Sequence, residues 1–343
     1  MSAIPAARRG LMSVPRSPIL IIPMGVPTLQ DIQRAAERIR PYAHRTPVLT
    51  SASLDRMVGA HLFFKCENFQ KVGAFKFRGA CHAVLSLSEE EAARGVATHS
   101  SGNHAAALAL AARTRGIRAF IVMPKDAARV KKAAVAEYGG HIIFCEPTLA
   151  SREATLAEVV QETGATVVHP YNDHRVIAGQ GTVALEFIQE VPHLDSLMAP
   201  VGGGGLISGT AIVVSELSPD TQVIGVEPAG ADDAFRSVRA GRRIPCHRPR
   251  TIADGLRASL GDLTFSIIKR RVNRIVTVSE EAIVAAMRIV WERMKIIIEP
   301  SAAVPVAALL ERKVDLAGQR VGIILSGGNV DLDGLPWSQA SCG

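Results

Sequence analysis

Aromatic side chains are scarce in these 343 residues: ten Phe, three Tyr and two Trp, 4% of the chain. A surface that binds single-stranded nucleic acid by stacking needs rings among its cations, and the basic stretches "RRIPCHRPR" and "KRRVNR" contain none. The net charge of +7 is therefore read as solvated basic faces, with no nucleic-acid partner expected. Long apolar runs are missing as well. No stretch reaches the roughly 18 residues of a membrane helix, so no membrane partner is expected. The five cysteines, Cys66, Cys81, Cys145, Cys246 and Cys342, are widely spaced and form no C-x-x-C pair. That argues against a zinc site or a disulfide framework and fits a reducing, cytoplasmic compartment.

What is present is a soluble, enzyme-like balance, 48% hydrophobic and 21% charged, with enough chain for about two domains. Residues 1–27 stand apart. A basic pair followed by an apolar stretch imitates a signal peptide, but Pro15, Arg16, Pro18 and Pro23 interrupt it and no clean cleavage site follows. This segment is expected to be a disordered extension, or to precede a true start at Met24.

From Thr28 onward helix and strand signals alternate. "TLQDIQRAAERIRPY" carries an N-cap at Thr28, Asp31 at the capping-box position and Pro41 as terminator. "HLFFKCEN", "GVATHSS", "IRAFIVMP", "HIIFCEP", "TVVHPY", "SLMAPVGGGG", "QVIGVEP" and "RVGIILSGG" read as strands, most of them followed by segments of helical spacing. "AGQGT" reads as a glycine-rich joint before the helix "VALEFIQEV". The alternation predicts an α/β fold with open, mostly parallel sheets wrapped by helices on both faces.

In such sheets ligands gather beyond the carboxyl ends of the strands, and three strands end in turns built for close approach. "VGGGG" puts Gly202, Gly203, Gly204 and Gly205 directly before a helix, where converging N–H groups and the helix N-terminus suit a phosphate. It lacks the Lys-Ser/Thr of a Walker loop and the spacing of a dinucleotide fingerprint. "SSGNHA", from Ser100 to Ala105, offers N–H groups, two hydroxyls and an amide to a carboxylate-sized anion. "LSGGNVD" closes the last strand with Ser326 and two glycines. Against these stands "VGAFKFRGA", where Lys76 lies between Phe75 and Phe77 among small residues. An amine desolvated beside aromatic rings loses its proton more readily, as an imine-forming lysine must, and small neighbours leave room for a flat ring. A phosphate cradle, a carboxylate cradle and a reactive amine together point to pyridoxal 5'-phosphate.

At this point the sequence resembles the tryptophan synthase β-like, fold type II enzymes that use this cofactor, and within them the serine racemases and serine/threonine/3-hydroxyaspartate dehydratases. The likeness runs from about residue 28 to residue 333 through "GAFKFRGA", "THSSGNHAAALA", "HPYNDHRVIAGQGT", "PVGGGGLISG", "VEPAGADD", "TIADGLRAS", "VWERMKIIIEPSAA" and "ILSGGNVDL". The resemblance implies that Lys76 holds the cofactor through a Schiff base. Gly202, Gly203, Gly204, Gly205 and Leu206 would bind its phosphate, Asn103 its phenolic oxygen and Ser326 its ring nitrogen, with Phe75 and Gly255 flanking the ring. Ser100, Ser101, Gly102, Asn103 and His104 would hold the substrate α-carboxylate. Lys76 and Ser101 would be the catalytic pair, acting from opposite faces. A large domain of residues 28–94 and 172–335 would carry the lysine, a small mobile domain of 95–171 would close over the substrate, and 336–343 would be a tail.

The same resemblance implies an ammonia-lyase that removes the β-hydroxyl of serine, 3-hydroxyaspartate or threonine, with racemisation open to the same site, in a homodimer. Arg152 matches an arginine that can reach an acidic distal group, which favours serine or hydroxyaspartate over threonine. Glu227, the Ala231 carbonyl and Asp233 match a divalent-cation site, and oxygen ligands suit Mg²⁺, Mn²⁺ or Ca²⁺. The chain departs from the animal serine racemases at Ala105 and Ala106, where Gly and Gln are expected, so nucleotide activation is not expected despite matches at Tyr138 and Lys295. Two other readings stand beside this one: a β-replacement synthase of the same fold, which "SSGNHA" and "FKFRGA" disfavour, and a nucleotide-binding regulatory protein that uses the glycines alone.

Overall fold

The structure is a computed structural model that describes residues 25–127 and 129–337. Most of the expected N-terminal extension, and residues 338–343 of the expected tail, lie outside the described residues. Among the described residues the strands are β1 (Val48–Thr50), β2 (His61–Cys66), β3 (Val96–His99), β4 (Ala119–Pro124), β5 (His141–Cys145), β6 (Thr166–Val167), β7 (Ser196–Pro200), β8 (Gln222–Pro228), β9 (Arg274–Val278) and β10 (Arg320–Leu325). The α-helices are α1 (Leu29–Ile39), α2 (Ala52–Val58), α3 (Lys76–Leu85), α4 (Glu89–Arg94), α5 (Asn103–Arg115), α6 (Arg129–Glu137) and α7 (Leu149–Thr163). They continue as α8 (His174–Glu190), α9 (Gly205–Leu217), α10 (Asp233–Ala240), α11 (Asp262–Arg271), α12 (Glu280–Met294) and α13 (Pro300–Leu310).

The strands form two sheets, as the alternation predicts. One has six strands in the order β1-β2-β10-β7-β8-β9, parallel except for β1, and the other four in the order β5-β4-β3-β6, all parallel. Every strand of the smaller sheet falls within residues 96–167.

Strand alternation divides the larger sheet's core between its two faces. Val321, Ile323 and Leu325 of β10 pack with Met198 and Ile224 against α12 and α13. Ile324 joins Leu197, Ala199 and Val223 against α8 and α9. A sheet buried on both sides needs near-continuous apolar strands, which "GIIL" and "SLMAP" supply. In the smaller sheet Val96, Ile121 and Met123 face α3 and α5, while Ala97, Phe120 and Val122 face α7. No helix among the described residues is long and apolar enough to cross a membrane.

The capping box at Thr28 and Asp31 forms, with both reciprocal hydrogen bonds in place. One expectation is corrected. "AGQGT" is not a joint; Gly179 and Gly181 lie inside the continuous helix α8. A Cβ at Gly179 would fall 2.6 Å from the Arg78 carbonyl oxygen, and one at Gly209 would fall 2.6 Å from the Gly181 nitrogen. These glycines let α8 lie backbone against backbone with α3 and α9. Tertiary contact thus overrides the roughly 1 kcal/mol that each glycine costs a helix.

Candidate active site

The turns after β7 and β10 of the larger sheet and after β3 of the smaller carry three of the motifs that the sequence singled out. Lys76 opens α3, and the loop before it bends through Val72 (φ 56°) and Gly73 (φ 68°). A β-branched residue in the left-handed region is strained, and the turn after β10 holds it there. Phe75 N–H donates to the Ser326 carbonyl at 3.0 Å, Gly328 N–H to Gly73 O at 2.9 Å, and Asn329 Nδ2 to Val72 O at 2.7 Å. Ser326 and Phe75 are thereby fixed beside Lys76.

The Lys76 ammonium donates to the Pro170 carbonyl at 2.9 Å and lies 5.1 Å from the Phe75 ring centroid. Loss of hydration pulls its pKa down from 10.5 to about 8, opposed by the negative charge of Glu299. Only one flanking phenyl attends it. Phe77 is fully buried in the core, and Lys71 Nζ, not Lys76, stands 5.6 Å from its ring.

The tetraglycine turn is shaped by its neighbours. A Cβ at Gly202 would meet Leu256 Cα at 2.9 Å, one at Gly203 the Tyr171 ring at 2.3 Å, and one at Gly205 Gln180 Oε1 at 2.5 Å. Gly204 caps α9 with φ 87°, a value that favours glycine, and Leu206 behind it is buried. Gln180 is completely buried, and neither atom of its amide has a hydrogen-bond partner. A buried amide left so costs about 1–3 kcal/mol, and an anionic oxygen over the neighbouring glycines would accept from it. The first N–H groups of α9, without intrahelical partners, add donors at the same place. The cradle therefore fits the phosphate end of pyridoxal phosphate.

Gly255 closes the far side. Its N–H donates to Ser301 Oγ at 3.1 Å, and its carbonyl oxygen lies 3.0 Å from where a Gly202 Cβ would be.

"SSGNH" forms the turn from β3 into α5, with Gly102 as N-cap and its N–H donating to Ser100 Oγ at 3.3 Å. Ser101 lies partly accessible within that turn. His104 Nε2 lies 3.1 Å from the Val168 carbonyl, so the proton sits on Nε2 and the buried Nδ1 is left without a partner. Burial first, then the charge of Lys76, bring the His104 pKa down to about 3. Asn103 reaches the site but its amide is engaged: Nδ2 donates to both Glu299 oxygens at 3.0 and 3.1 Å, and Oδ1 accepts from Asn329 at 3.0 Å.

Glu299, Pro170, Tyr171, Gln180 and Asn329 belong to the site without having been singled out. Glu299 caps α13 and is buried, and burial followed by repulsion from Asp254 raises its carboxyl to about 7. Asp254, next to Gly255, pairs with Lys131 of α6, so this charge pair joins a helix of the smaller sheet to a loop of the larger.

Two further groups were singled out by the sequence. Arg152 is on α7 at the β3 side; its Nε is buried without a partner, and its charge acts on His99 and Cys145. Glu227, near the end of β8, and Ala231 and Asp233, after it, are all buried. Glu227 accepts from Ala234 N–H at 3.0 Å and Phe235 N–H at 2.8 Å, and Asp233 from Leu260 N–H at 2.9 Å. Burial, then the charge of Asp233, raises the Glu227 carboxyl well above its usual range, and burial raises Asp233 to about 6. Two buried carboxyl groups, of which Asp233 makes Glu227 harder to charge, suit a divalent cation. Among the described residues no cluster of three or more His, Cys, Asp or Glu offers an alternative metal site.

The site is that of an enzyme built around pyridoxal phosphate, and the chain belongs to the family described as "Pyridoxal-phosphate dependent enzyme", which matches residues 39–327. Pyridoxal phosphate is thus its cofactor. Within that family the chain is 54% identical to the β-hydroxyaspartate dehydratase of Paracoccus denitrificans over 315 residues, 92% of this chain and 100% of the relative. It is 52% identical to the serine racemase of Arabidopsis thaliana, over 89% of this chain and 94% of that one. Maize serine racemase superimposes with a TM-score of 0.89 at 48% identity, covering 92% of this chain and 97% of that structure. The likeness extends through the whole two-sheet α/β fold.

Proposed function

We propose that this chain is an ammonia-lyase that removes the β-hydroxyl of a 3-hydroxy amino acid to give a 2-oxo acid and ammonia, with racemisation as a second outcome at the same site. A hydroxyaspartate dehydratase and a serine racemase are similar to it over nearly its whole length, and both substrates carry a β-hydroxyl. The observation that carries the reading is the placement of Lys76: its amine, brought down to about 8 by burial, bonds the Pro170 carbonyl beside the Tyr171 ring that backs Gly203, and its charge acts on His104 of the "SSGNH" turn.

Bound pyridoxal phosphate supplies an electron sink for charge developed at the substrate Cα. The rest is assigned to the chain. Ser100, Ser101, Gly102, Asn103 and His104 receive the α-carboxylate at the start of α5. Phe75 and Gly255 confine the ring, and Ser326 meets its nitrogen as a hydroxyl. A hydroxyl there, unlike a carboxylate, would not hold a proton on that nitrogen, so Ser326 would keep the sink mild and favour loss of the β-hydroxyl. The free Lys76 amine takes the Cα proton on one face. The Ser101 hydroxyl delivers a proton on the other when the outcome is the opposite enantiomer. Arg152, with an unpaired buried Nε, is assigned to the distal group of an acidic substrate.

Glu227, the Ala231 carbonyl and Asp233 are assigned to Mg²⁺, Mn²⁺ or Ca²⁺, away from the reacting atoms. Residues 28–94 with 172–335, and 95–171, are taken as large and small domains that close on substrate, in a cytoplasmic homodimer with neither nucleic-acid nor membrane partners.

The test is hydride reduction of the purified protein followed by peptide mapping, then keto-acid and chirality assays with L-serine, D-serine, L-threonine and the 3-hydroxyaspartates. The label is expected on Lys76 and keto acid from at least one of these. A label on another lysine, or conversion of serine only when sulfide is supplied, overturns the assignment.

A further inference from the structure

The segment after β6 does more than join it to α8. His169 Nδ1 lies 3.3 Å from the Tyr171 N–H nitrogen and 2.9 Å from that of Asn172, so it accepts from two consecutive main-chain donors. A nitrogen that accepts carries no proton, which makes the ring neutral with its hydrogen on Nε2. The surroundings agree. Burial and then repulsion from His99 bring the His169 pKa down to about 4, Lys76 acting in the same direction and Asp173 against it. Edge-on contacts with the Tyr171 ring at 4.5 Å and the His99 ring at 6.3 Å hold the imidazole plane.

The turn closed by these two bonds makes two contacts with the site and one with α11. The Pro170 carbonyl accepts from Lys76 Nζ at 2.9 Å. The Tyr171 ring occupies the space that a Cβ on Gly203 would need, 2.3 Å away. Asn172 Oδ1 accepts from Leu263 N–H at 3.0 Å, at the start of α11. The direction of the Pro170 carbonyl depends on the peptide planes of the turn, and the turn depends on the acceptor inside it.

We propose that His169 is a positioning residue whose neutral Nδ1 locks the 169–172 turn, so that the Pro170 carbonyl holds the free Lys76 amine at one point and the Tyr171 ring backs the tetraglycine cradle. The inference rests on the reading of Lys76 as the cofactor-bearing lysine. An amine that is released and recaptured in each turnover needs a defined resting place, since misplacement of about 1 Å can cost a hundredfold in rate.

The test compares wild type with His169→Asn, whose amide oxygen falls where Nδ1 was, and His169→Leu, which has no acceptor. Pyridoxal phosphate affinity is measured by absorbance titration of the cofactor-free proteins, kcat/KM on the best hydroxy amino acid, and the melting temperature of each. Loss of both hydrogen bonds is expected to weaken cofactor binding and kcat/KM roughly tenfold or more in His169→Leu, with His169→Asn within about threefold of wild type. A Leu variant equal to wild type overturns the proposal, as does an Asn variant that fails equally while melting like wild type. If His169→Leu does not fold, His169→Gln, whose amide sits one carbon further out, replaces it with the same expected loss. Hydride labelling of wild type separates the two failures: a label away from Lys76 overturns the underlying reading together with this proposal, and a label on Lys76 with an unaffected Leu variant overturns this proposal alone.

Discussion

The Arg78 guanidinium clasps the Glu67 carboxylate through two hydrogen bonds of 2.8 Å, and neither side chain is accessible to solvent. Its third nitrogen bonds Glu186 at 2.7 Å, and Glu186 also receives Lys65 at 2.9 Å, so two cations and two anions neutralise one another inside the fold. Arg78 lies two residues after Lys76 on α3, and this cluster pins that helix to β2 and α8. Arg78→Met would leave Glu67 buried without its cation, and breaking one side of such a pair costs about 3–5 kcal/mol. Denaturant unfolding is expected to show a loss of that order. Arg78→Lys, which cannot form the fork, should fall between. A change below about 1 kcal/mol in the Met variant would show that the cluster does not brace α3.

Lys76 should behave as a base of pKa near 8 in the cofactor-free protein. Below that value its reactivity toward an acylating reagent is expected to fall tenfold per pH unit, and above it to level off. The sign for stability follows from the direction of the shift. Between about pH 8 and 10.5 the unfolded chain keeps a proton that the folded chain has lost, so this group makes stability rise with pH across that window. Peptide mass spectrometry after timed labelling gives the midpoint. A value near 10.5 would mean that the site does not desolvate the amine.

How much of this could be read from residues alone depends on what kind of atom does the work. Side chains in distinctive turns were legible: the glycines 202–205 and Asn103 lie at the strand ends where the pattern put them, and Lys76, singled out by its small and aromatic neighbours, opens α3. Main-chain groups were not. The Pro170 carbonyl that holds Lys76 leaves no trace in composition, because any residue there would offer an oxygen. Glu299 was equally hidden, since only the fold brings residue 299 to within 3.0 Å of residue 103. Gly179 and Gly181 misled for the converse reason. Taken locally they break a helix, and only the approach of α3 and α9 makes them contact surfaces. Short elements such as β1, α2 and β9 carried too little periodic signal to be read, although β9 completes the edge of the larger sheet.

Gly203→Ala tests the cradle sterically. The added methyl would lie 2.3 Å from the Tyr171 ring, so the ring must leave its place or the turn must open. Cofactor affinity is expected to fall about tenfold or more, on the scale of 1.4 kcal/mol per decade, by absorbance titration. Gly25→Ala, where nothing lies within 4 Å, serves as the control. Equal affinity in the two variants would remove the tetraglycine turn from the phosphate site.

Arg152→Leu tests substrate selection. If the unpaired guanidinium nitrogen meets a distal carboxylate, turnover of 3-hydroxyaspartate should lose roughly 1.5–3 kcal/mol of transition-state stabilisation, about ten- to a hundredfold in kcat/KM. Serine, which lacks that carboxylate, should lose much less. Steady-state kinetics on both substrates decide it, and an equal loss, or none, would return Arg152 to a structural role.

The carboxylates of Glu227 and Asp233 make the cation testable through stability alone. Asp233 is raised from 3.8 to about 6 in the cation-free fold, and Glu227 is raised as well. Between about 3.8 and 6 Asp233 binds more protons in the folded chain than in the unfolded one, so its contribution to stability is greatest at low pH and is lost as pH rises through about 6, and the raised Glu227 carboxyl acts in the same direction. A bound divalent cation keeps both groups charged and cancels that loss, adding the linkage term that grows with its concentration over its Kd. Melting curves with Mg²⁺, Mn²⁺, Ca²⁺ or a chelator should therefore separate at pH 8 and converge toward pH 5. Glu227→Gln should abolish the separation while leaving the chelated protein no less stable at pH 8. Curves that coincide at every pH would exclude a cation from this pair.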